Sequence, residues 1–387
     1  MSGVRFEFAT ATRIVFGPGS LAELGPIAAS LGSRALLVTG RSPERAEAAR
    51  EHLLAEGVAS IAFSVIGEPT VGDARRGADL ARSEGVDLVV ACGGGSAIDA
   101  GKAVAALLGN GGDPLHYLEV VGRGQPIALP SVPFIAIPTT AGTGSEVTRN
   151  AVLASPEHRF KASLRSPLML PRLAIVDPEL TYDLPPAVTA STGLDALTQL
   201  IEPYVSCRAN PMTDAVCLEG IRHAAKSLRR ACRNGKDGEA RAGMALAGLM
   251  GGLALANAGL GVVHGFAAPV GGMFPAPHGA VCAALLPHGM LVNIRALKRD
   301  SSRGEAYERY ETVARILTGR ADAAAEDGAA WVGELCRDLD IPSLRSYGVC
   351  ESDVGVLVEK ASKASSMKGN PIVLSPDELS EVITLAL

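Results

Sequence analysis

The first half of the chain alternates short apolar runs with longer segments whose apolar residues recur every three or four positions. The apolar runs cover residues 34–40, 59–65, 86–91 and 133–138, and the helical segments cover 21–31, 43–57, 73–85 and 99–108. Apolar runs of this length that end near glycine or proline are typical of buried strands. Strands that alternate with helices predict a mostly parallel, Rossmann-like sheet with helices on both faces.

The pattern changes after Ile175-Val176-Asp177-Pro178, where β-branched runs become rare. Long segments of Ala, Leu and Gly with helical spacing follow, at residues 186–205, 213–232, 239–258 and 328–339. A chain of 387 residues has the length of about two to three ordinary domains. We therefore expect an α/β domain over residues 1–180 and an all-α domain over residues 181–387.

Composition and charge exclude several classes of protein. Apolar residues make up 47% of the chain, which disfavours disorder, and the net charge of −5 includes no basic stripe for nucleic acid. The N-terminus lacks the charged segment followed by an apolar segment that is typical of a signal peptide. No uninterrupted run of about 18 apolar residues marks a membrane span. The seven cysteines form no CxxC pair. We expect a cytoplasmic globular enzyme with reduced, mostly structural cysteines and no membrane partner.

A glycine-rich turn follows the strand predicted at residues 86–91. Gly93, Gly94, Gly95 and Ser96 stand before a predicted helix, so the turn offers free backbone N–H groups and the positive end of a helix dipole. The missing Cβ atoms let a pyrophosphate approach the main chain, and Ser96 adds a hydroxyl donor. We favour a phosphate-binding turn over the alternative, a tight turn that needs glycine only for its backbone conformation.

A second turn of small polar residues follows the next predicted strand. It reads Pro138-Thr139-Thr140-Ala141-Gly142-Thr143-Gly144-Ser145-Glu146. Hydroxyl groups and glycines at the carboxyl end of a strand suit the ribose and phosphates of a nucleotide, because open α/β sheets bind ligands at that edge. The same residues could also cap a helix, with Ser145 as the cap, and the two interpretations are compatible.

A carboxylate and two imidazoles suggest metal chemistry. Asp195 and Gln199 lie four residues apart and hence on one face of a predicted helix, and His264 and His278 bracket the segment HGFAAPVGGMFPAPHG. Together they could form a divalent metal site with open positions. The spacing also allows the alternative in which Asp195 is a cap or hydrogen-bond partner and each histidine is a satisfied buried side chain.

These segments together resemble the iron-containing (group III) alcohol dehydrogenase family. The motifs that carry the resemblance occur in the family's order and at its spacing: GGGSAIDAGKA, PTTAGTGSEVT, GLDALTQLIEPYVS and VHGFAAPVGGMFPAPHGAVCAALLPH. The likeness runs from Thr10 to Leu379. It implies the dehydroquinate synthase-like fold of that family, with an NAD(P)-binding α/β domain and a helical metal and substrate domain. It also implies hydride transfer between NAD(P)H and a small alcohol or aldehyde.

The resemblance assigns residues to the two ligands. It implies that Gly94, Gly95 and Ser96 hold the pyrophosphate. The residues expected along the nucleotide and its nicotinamide ribose are Asp99, Thr139, Thr140, Ser145 and Lys161. Members of the family bind a divalent metal, commonly iron, through one Asp and three His. Three of those positions correspond to Asp195, His264 and His278, which are also the expected catalytic residues.

The chain departs from the family at one metal-ligand position and at one further position in the cleft. Gln199 stands where the family has a ligand histidine, and an amide oxygen is a poorer donor to iron or zinc than a neutral imidazole. Gln199 could reach the metal through its carbonyl oxygen, weaken the site or leave it empty. Ala268 stands where many members have another histidine, and it cannot relay protons. Fe²⁺ is the metal that the resemblance favours, with Zn²⁺, Mn²⁺ or no metal as alternatives.

A third departure concerns the choice of nucleotide. Members that prefer NAD often carry an acidic residue just after the first of these strands, whereas this chain has Gly40, Arg41 and Ser42 there. No carboxylate repels a 2′-phosphate, and Arg41 and Ser42 could bind one. We therefore favour NADP(H) over NAD(H), with a solvated loop charge at Arg41 as the alternative.

The favoured function is a metal-assisted, NAD(P)H-dependent aldehyde or ketone reductase that also runs as an alcohol dehydrogenase. One alternative is a metal-free reductase similar to the maleylacetate reductases, acting on a carboxylate-bearing substrate with His264 or His278 as acid or anchor. Another is a catalytically silent nucleotide-binding paralogue. The resemblance also suggests a homodimer in which the segment Phe6 to Phe16 pairs with its copy.

Overall fold

The described chain divides into two compact units. A computed structural model describes residues 5–158, 160–300 and 304–387. The sheet unit comprises Ala9–Thr140 and Gly144–Tyr182, and the helical unit comprises Ala141–Thr143 and Asp183–Leu387 together with residues 5–8. The expectation that residues 1–180 and 181–387 are separate domains stays a prediction.

The sheet unit is built on a six-stranded parallel sheet, with a separate two-stranded hairpin. Its strands are β1 (Ile14–Phe16), β2 (Arg34–Thr39), β3 (Ala59–Ser64), β4 (Leu88–Gly93), β5 (Phe134–Pro138), β6 (Asn150–Ser155), β7 (Phe160–Arg165) and β8 (Leu173–Val176). The sheet order is β1-β8-β5-β4-β2-β3, and β6 pairs with β7 in antiparallel fashion. The predicted parallel sheet is confirmed, while β1, β6, β7 and β8 were not predicted.

The central strands are buried on both faces because helices cover the sheet from two sides. The helices of this unit are α1 (Leu24–Ala29), α2 (Glu47–Ala55), α3 (Val71–Ser83), α4 (Gly95–Asn110) and the single turn α5 (Pro114–Tyr117). The helix predicted over residues 21–31 was too long, since Ser20–Glu23 forms a 3-10 turn before α1. The helix predicted from residue 99 starts earlier, so Gly95 and Ser96 belong to its first turn.

The register of the sheet aligns the carboxyl ends of three neighbouring strands. Thr39 of β2 pairs with Cys92 of β4, and Gly93 of β4 pairs with Pro138 of β5. The loops that leave these strands therefore start from one edge of the sheet. The glycine-rich turn, the hydroxyl-rich turn and the Gly40 loop, which the sequence placed far apart, all begin there.

The helical unit contains no strand among its described residues, as the sequence predicted. Its helices are α6 (Pro186–Val205), α7 (Pro211–Arg233), α8 (Gly238–Ala258), α9 (Val262–Met273), α10 (His278–Arg299), α11 (Gly304–Thr318), α12 (Ala325–Asp338), α13 (Val354–Ser362) and α14 (Pro376–Leu385). They enclose one apolar core to which α6 and α10 contribute buried residues along most of their length. This arrangement allows α6, α9 and α10 to share polar side chains in the interior.

Within the described part of the chain, one helix is long and apolar enough to cross a membrane. That helix is α10, and 78% of its most apolar window is buried inside the protein. Helices α8 and α9 pass the same test only as a pair bent by 100°. Core helices of globular proteins meet the same criteria, so this observation is weak evidence for a membrane span.

Candidate metal and nucleotide sites

One face of α6 carries three polar side chains into the apolar core. Asp195, Gln199 and Glu202 are spaced four and three residues apart, so they lie on the same face of the helix. All three are buried, with relative exposures of 1%, 2% and 5%. Burying polar groups costs free energy unless they find partners, so this row must be satisfied by groups from other elements or by a ligand.

Glu202 joins α6 to the first turn of α9. One of its carboxylate oxygens accepts the backbone N–H of Val263 at 2.7 Å, and the other lies 2.7 Å from Nδ1 of His264. A carboxylate can only accept, so Nδ1 carries the proton and Nε2 is left to act as a donor atom for a ligand. Glu202 was missed in the sequence, although it stands seven residues after Asp195 and hence two turns along the same helix face.

His264 and His278 converge on Asp195. His278 is the first residue of α10, and its Nε2 lies 3.8 Å from Oδ1 of Asp195, whereas Nε2 of His264 lies 3.4 Å from the same oxygen. The two imidazole rings are 5.4 Å apart between centroids. The structure thus brings together three of the four residues predicted to bind metal, from α6, α9 and α10.

Two oxygens in this cluster are buried without a hydrogen-bond partner among the described residues. They are Oδ1 of Asp195 and Oε1 of Gln199. A buried carboxylate oxygen that faces two imidazole nitrogens but accepts no hydrogen bond is the arrangement that a cation satisfies. The residues present therefore fit a divalent metal ion. Gln199, which the sequence predicted as a ligand, lies one helical turn after Asp195 on the same helix.

A cysteine that the sequence did not single out also belongs to the cluster. Cys282 lies one helical turn after His278, and its Sγ is 3.7 Å from Nε2 of His278 and 3.7 Å from Nε2 of His264. One ligand atom from each of Asp195, His264, His278 and Cys282 lies within 4.8 Å of the others. The i, i+4 spacing to His278 was the only sequence signal for this residue.

The charges of the cluster shift its pKa values. Burial favours the neutral form of Asp195, but positive charge at His278 and at His264 lowers its pKa below the ordinary value. Negative charge at Cys282 raises the pKa of His278 to about 9. Burial opposes protonation of His264, yet negative charge at Cys282 and the two neighbouring carboxylates raise its pKa above the ordinary value.

The nucleotide residues predicted from the glycine-rich turn surround the N-terminus of α4. Gly94 is the N-cap residue, and no side chain in the described chain caps the helix there. The first-turn N–H groups of Gly95 and Ser96 precede the helix's own hydrogen bonds, which begin with Ala97 and Ile98 donating to the carbonyl of Gly94. A helix end of this kind is a site for a phosphate group.

Thr139 and Thr140 lie beside this helix end. The backbone N–H of Thr139 donates to the carbonyl of Gly93 at 2.9 Å, and a Cβ on Gly94 would come within 3.4 Å of the Thr140 side chain. A Cβ on Gly93 would approach the backbone nitrogen of Gly40 to 3.3 Å. The predicted phosphate residues and Gly40 are therefore close together at the sheet edge.

Three other predicted nucleotide residues are engaged with protein groups. Asp99 accepts hydrogen bonds from the Ser145 hydroxyl and from the backbone N–H of Val152, at 2.9 Å for the latter. Lys161 forms an ion pair with Glu68 at 2.8 Å. These contacts give each residue a positioning role, and the prediction that they line a nucleotide stays a prediction.

A buried lysine that the sequence did not single out supports the hydroxyl-rich turn. Lys102 of α4 is 1% exposed and donates to the carbonyl of Ser145 and the hydroxyl of Thr148, each at 2.8 Å, and to the carbonyl of Asn150 at 2.6 Å. Burial lowers the pKa of Lys102, and Asp99 at 3.5 Å opposes that shift. Lys102 thus fixes the backbone that follows the turn.

Arg41 and Ser42 extend from the carboxyl end of β2 into solvent. Both side chains are exposed, and Gly40 before them is half-buried. A Cβ on Gly40 would meet no atom within 4 Å. The position that the sequence assigned to recognition of the adenosine ribose therefore has open space beside it.

Comparison with known families matches both halves of the chain. The family described as "Iron-containing alcohol dehydrogenase" matches residues 11–178. The family described as "Fe-containing alcohol dehydrogenase family, C-terminal" matches residues 189–387. The two matches together cover nearly all of the chain.

Individual relatives agree with the family match. The chain is 40% identical over 320 residues to alcohol dehydrogenase 4 of Schizosaccharomyces pombe, covering 82% of this chain and 73% of that protein. It is 35% identical to the 1,3-propanediol dehydrogenase of Klebsiella pneumoniae over the full length of both. The crystal structure of a 1,3-propanediol oxidoreductase superposes with a TM-score of 0.92 at 33% identity, covering 99% of this chain and 100% of that one.

Proposed function

The chain belongs to the iron-containing alcohol dehydrogenase family, and from that premise we propose that it reduces a small aldehyde or ketone with NADPH and a divalent metal held by Asp195, His264 and His278. Its family establishes it as an oxidoreductase that interconverts alcohols and carbonyl compounds with a nicotinamide nucleotide. The observation that carries the proposal is the buried Oδ1 of Asp195, which has no hydrogen-bond partner among the described residues and faces Nε2 of both histidines.

The protein residues prepare the metal site before a metal binds. Glu202 keeps the proton on Nδ1 of His264, so the lone pair of Nε2 points toward Asp195. Burial of Asp195 and Glu202 at 1% and 5% exposure excludes water that would weaken their interactions. When bound, a divalent cation supplies Lewis acidity that polarises a carbonyl oxygen and stabilises the developing alkoxide.

The nucleotide is proposed to bind at the sheet edge with its pyrophosphate on the N-terminus of α4. Free N–H groups of Gly95 and Ser96 and the hydroxyls of Thr139 and Thr140 support this placement. When bound, the nicotinamide supplies the hydride. Arg41, exposed after β2 with no acidic residue beside it at positions 39–43, supports NADP(H) over NAD(H).

Several finer features complete the proposal. Because Ala268 offers no proton, we propose that water or a ribose hydroxyl protonates the alkoxide.

We propose a cytoplasmic homodimer without nucleic-acid or membrane partners. The exposed side chain of Phe6, at 44%, and the position of β1 at the edge of the sheet support an interface near the N-terminal segment. Sedimentation velocity would test the dimer directly.

Carbonyl reduction is tested with the full-length enzyme and a panel of short-chain aldehydes and ketones. We expect aldehyde-dependent oxidation of NADPH, slower oxidation of NADH, and loss of both in Asp195→Asn, which keeps the shape of the side chain but removes its charge. Asp79→Asn is the matched control, because Asp79 is an exposed carboxylate on α3 that forms an ion pair with Arg82. Binding of NADPH without turnover of any carbonyl would contradict the proposal and favour a silent nucleotide-binding protein.

A further inference from the structure

The cluster in the helical unit holds a complete set of four donor atoms, although Gln199 replaces the ligand histidine that the family resemblance led us to expect. The fourth donor is the thiol of Cys282, which is fully buried on α10. Cys92, by contrast, is a buried cysteine that lies within an apolar cluster of the sheet unit. Cys282 differs from such cysteines because two imidazole nitrogens and a carboxylate surround its sulfur.

The separations between the donor atoms match those of a tetrahedral site. A cation bound at about 2.0–2.1 Å by nitrogen or oxygen and about 2.3 Å by sulfur sets its ligand atoms about 3.3–3.6 Å apart. The sulfur of Cys282 lies 3.7 Å from each imidazole Nε2, and Oδ1 of Asp195 lies 3.4 and 3.8 Å from the same two nitrogens. A metal ion therefore fits among these atoms with shifts of a few tenths of an ångström.

Gln199 has a different relation to the cluster. Its side chain is 2% exposed, and its Oε1 has no hydrogen-bond partner among the described residues. A thiolate is also a stronger donor than an amide oxygen for zinc and other borderline metals.

We propose that Cys282, rather than Gln199, is the fourth metal ligand of this enzyme, as a thiolate beside Asp195, His264 and His278. The inference rests on the proposed metal-dependent function and specifies its metal chemistry. A set of one sulfur, two imidazoles and one carboxylate favours Zn²⁺ over Mn²⁺ and over the Fe²⁺ that the family name suggests. Binding requires the thiol to lose its proton, so metal uptake releases a proton from the cluster.

Cobalt substitution tests the sulfur ligand without relying on activity. The full-length protein, stripped with a chelator and titrated with Co²⁺ alone, is expected to show a near-ultraviolet charge-transfer band from thiolate to cobalt. Cys282→Ser is expected to lack that band and to bind Zn²⁺ about 100-fold more weakly or worse. X-ray absorption on the zinc-loaded wild type should find one sulfur among the nearest neighbours, and this readout needs no variant.

Two controls separate the ligand from a general disturbance. Cys350→Ser changes an exposed cysteine and should keep the band, and Gln199→Ala should keep it as well. A band that survives in Cys282→Ser, or zinc neighbours that are only nitrogen and oxygen, would overturn the proposal. The outcome is independent of carbonyl reduction, because a sulfur-bound metal in a protein that reduces no aldehyde would contradict the proposed function and leave the ligand assignment intact.

Discussion

At the scale of single residues, Glu202 determines which ring nitrogen of His264 is available to bind a metal. Its carboxylate accepts from Nδ1 of His264 and from the backbone N–H of Val263, each at 2.7 Å. Glu202→Gln keeps the size of the side chain but removes the charge that stabilises this imidazole. We expect Zn²⁺ affinity, measured by competition with a chelating dye, to fall by about 10–100-fold.

Glu219→Gln is the matched control for this change. Glu219 is an exposed carboxylate on α7 that also lies near a histidine, His223, at 3.4 Å. Its substitution should leave Zn²⁺ affinity unchanged. Equal affinities for wild type and Glu202→Gln would show that the contact with His264 does not orient a ligand.

Glu146 gives the free energy of unfolding a dependence on pH. The side chain is 3% exposed, and burial raises its pKa to about 7 from an ordinary value of 4.5. Folding therefore favours the protonated form, so this group's stabilising effect is complete below pH 4.5 and is lost as the pH rises to about 7. Glu146→Gln should gain up to about 3 kcal/mol of stability over wild type between pH 4.5 and pH 8.

Urea unfolding of both proteins at several pH values measures this difference, and groups common to both proteins cancel. Glu157 is an exposed glutamate of the same unit, so the free energy of unfolding of Glu157→Gln should vary with pH as that of wild type does. A constant difference between Glu146→Gln and wild type across the range would mean that Glu146 stays ionised in the folded protein.

Residue types and spacing predicted part of the metal cluster. Asp195, His264 and His278 were identified from motifs, and the structure brings them together. Glu202 and Cys282 were missed because their roles depend on tertiary contacts, between α6 and α9 for Glu202 and between α9 and α10 for Cys282. A cysteine without a CxxC partner usually packs as a small apolar side chain. Only its neighbours in the folded structure indicate that it could bind a metal.

At the scale of elements, a single added methyl group tests whether the N-terminus of α4 binds the pyrophosphate. Gly94→Ala places a Cβ 3.4 Å from the Thr140 side chain, at ordinary contact distance and at a φ of −72° that alanine adopts freely. The fold should tolerate it, whereas a phosphate can no longer approach the main chain. We expect NADPH binding, measured by fluorescence titration, to weaken by about tenfold or more.

Gly72→Ala provides the comparison for this substitution. Gly72 lies in the first turn of α3, and its Cβ would also have its nearest neighbours at 3.5 Å. Both variants should melt close to wild type, and Gly72→Ala should bind NADPH normally. Unchanged NADPH binding in Gly94→Ala would place the pyrophosphate elsewhere.

The end of β2 offers a test of nucleotide preference. A Cβ built on Gly40 meets no atom within 4 Å, and the backbone of Gly40 lies outside the left-handed region. The side chain of Gly40→Asp should therefore be accommodated without strain. It should repel a 2′-phosphate and accept a hydrogen bond from a ribose 2′-hydroxyl. The ratio of kcat/KM for NADPH to that for NADH should fall by about tenfold or more. A ratio unaffected by the new charge would remove the β2 loop from nucleotide recognition.

Element types were predicted better than element ends. The alternation of strands and helices gave the parallel sheet, because buried parallel strands appear as apolar runs. The hairpin of β6 and β7 was missed, since its strands alternate buried and half-buried residues and carry Ser, Lys and Arg. Helix α1 was overestimated because a 3-10 turn, Ser20–Glu23, takes the first predicted residues and the α-helix ends at Ala29, which apolar spacing does not reveal.

At the scale of the whole molecule, the proposed nucleotide site belongs to the sheet unit and the proposed metal site belongs to the helical unit. Each is assembled from residues far apart in sequence: the first from loops after β2, β4 and β5, the second from α6, α9 and α10. Sequence motifs predicted residues for both sites because each motif occupies one strand end or one helix turn, and both assignments stay predictions. The fourth metal donor could not be predicted, since it replaces an expected ligand from another helix.

The most direct test of this account measures metal content and carbonyl reduction in the same samples. The purified enzyme is chelated, and Zn²⁺, Fe²⁺ or Mn²⁺ is returned in steps while NADPH oxidation with an aldehyde is followed. We expect activity to vanish on chelation and to return in proportion to metal bound, saturating at one ion per cluster of Asp195, His264, His278 and Cys282. Activity that is indifferent to chelation would contradict the account and favour a metal-free reductase in which the histidines act as acid or anchor.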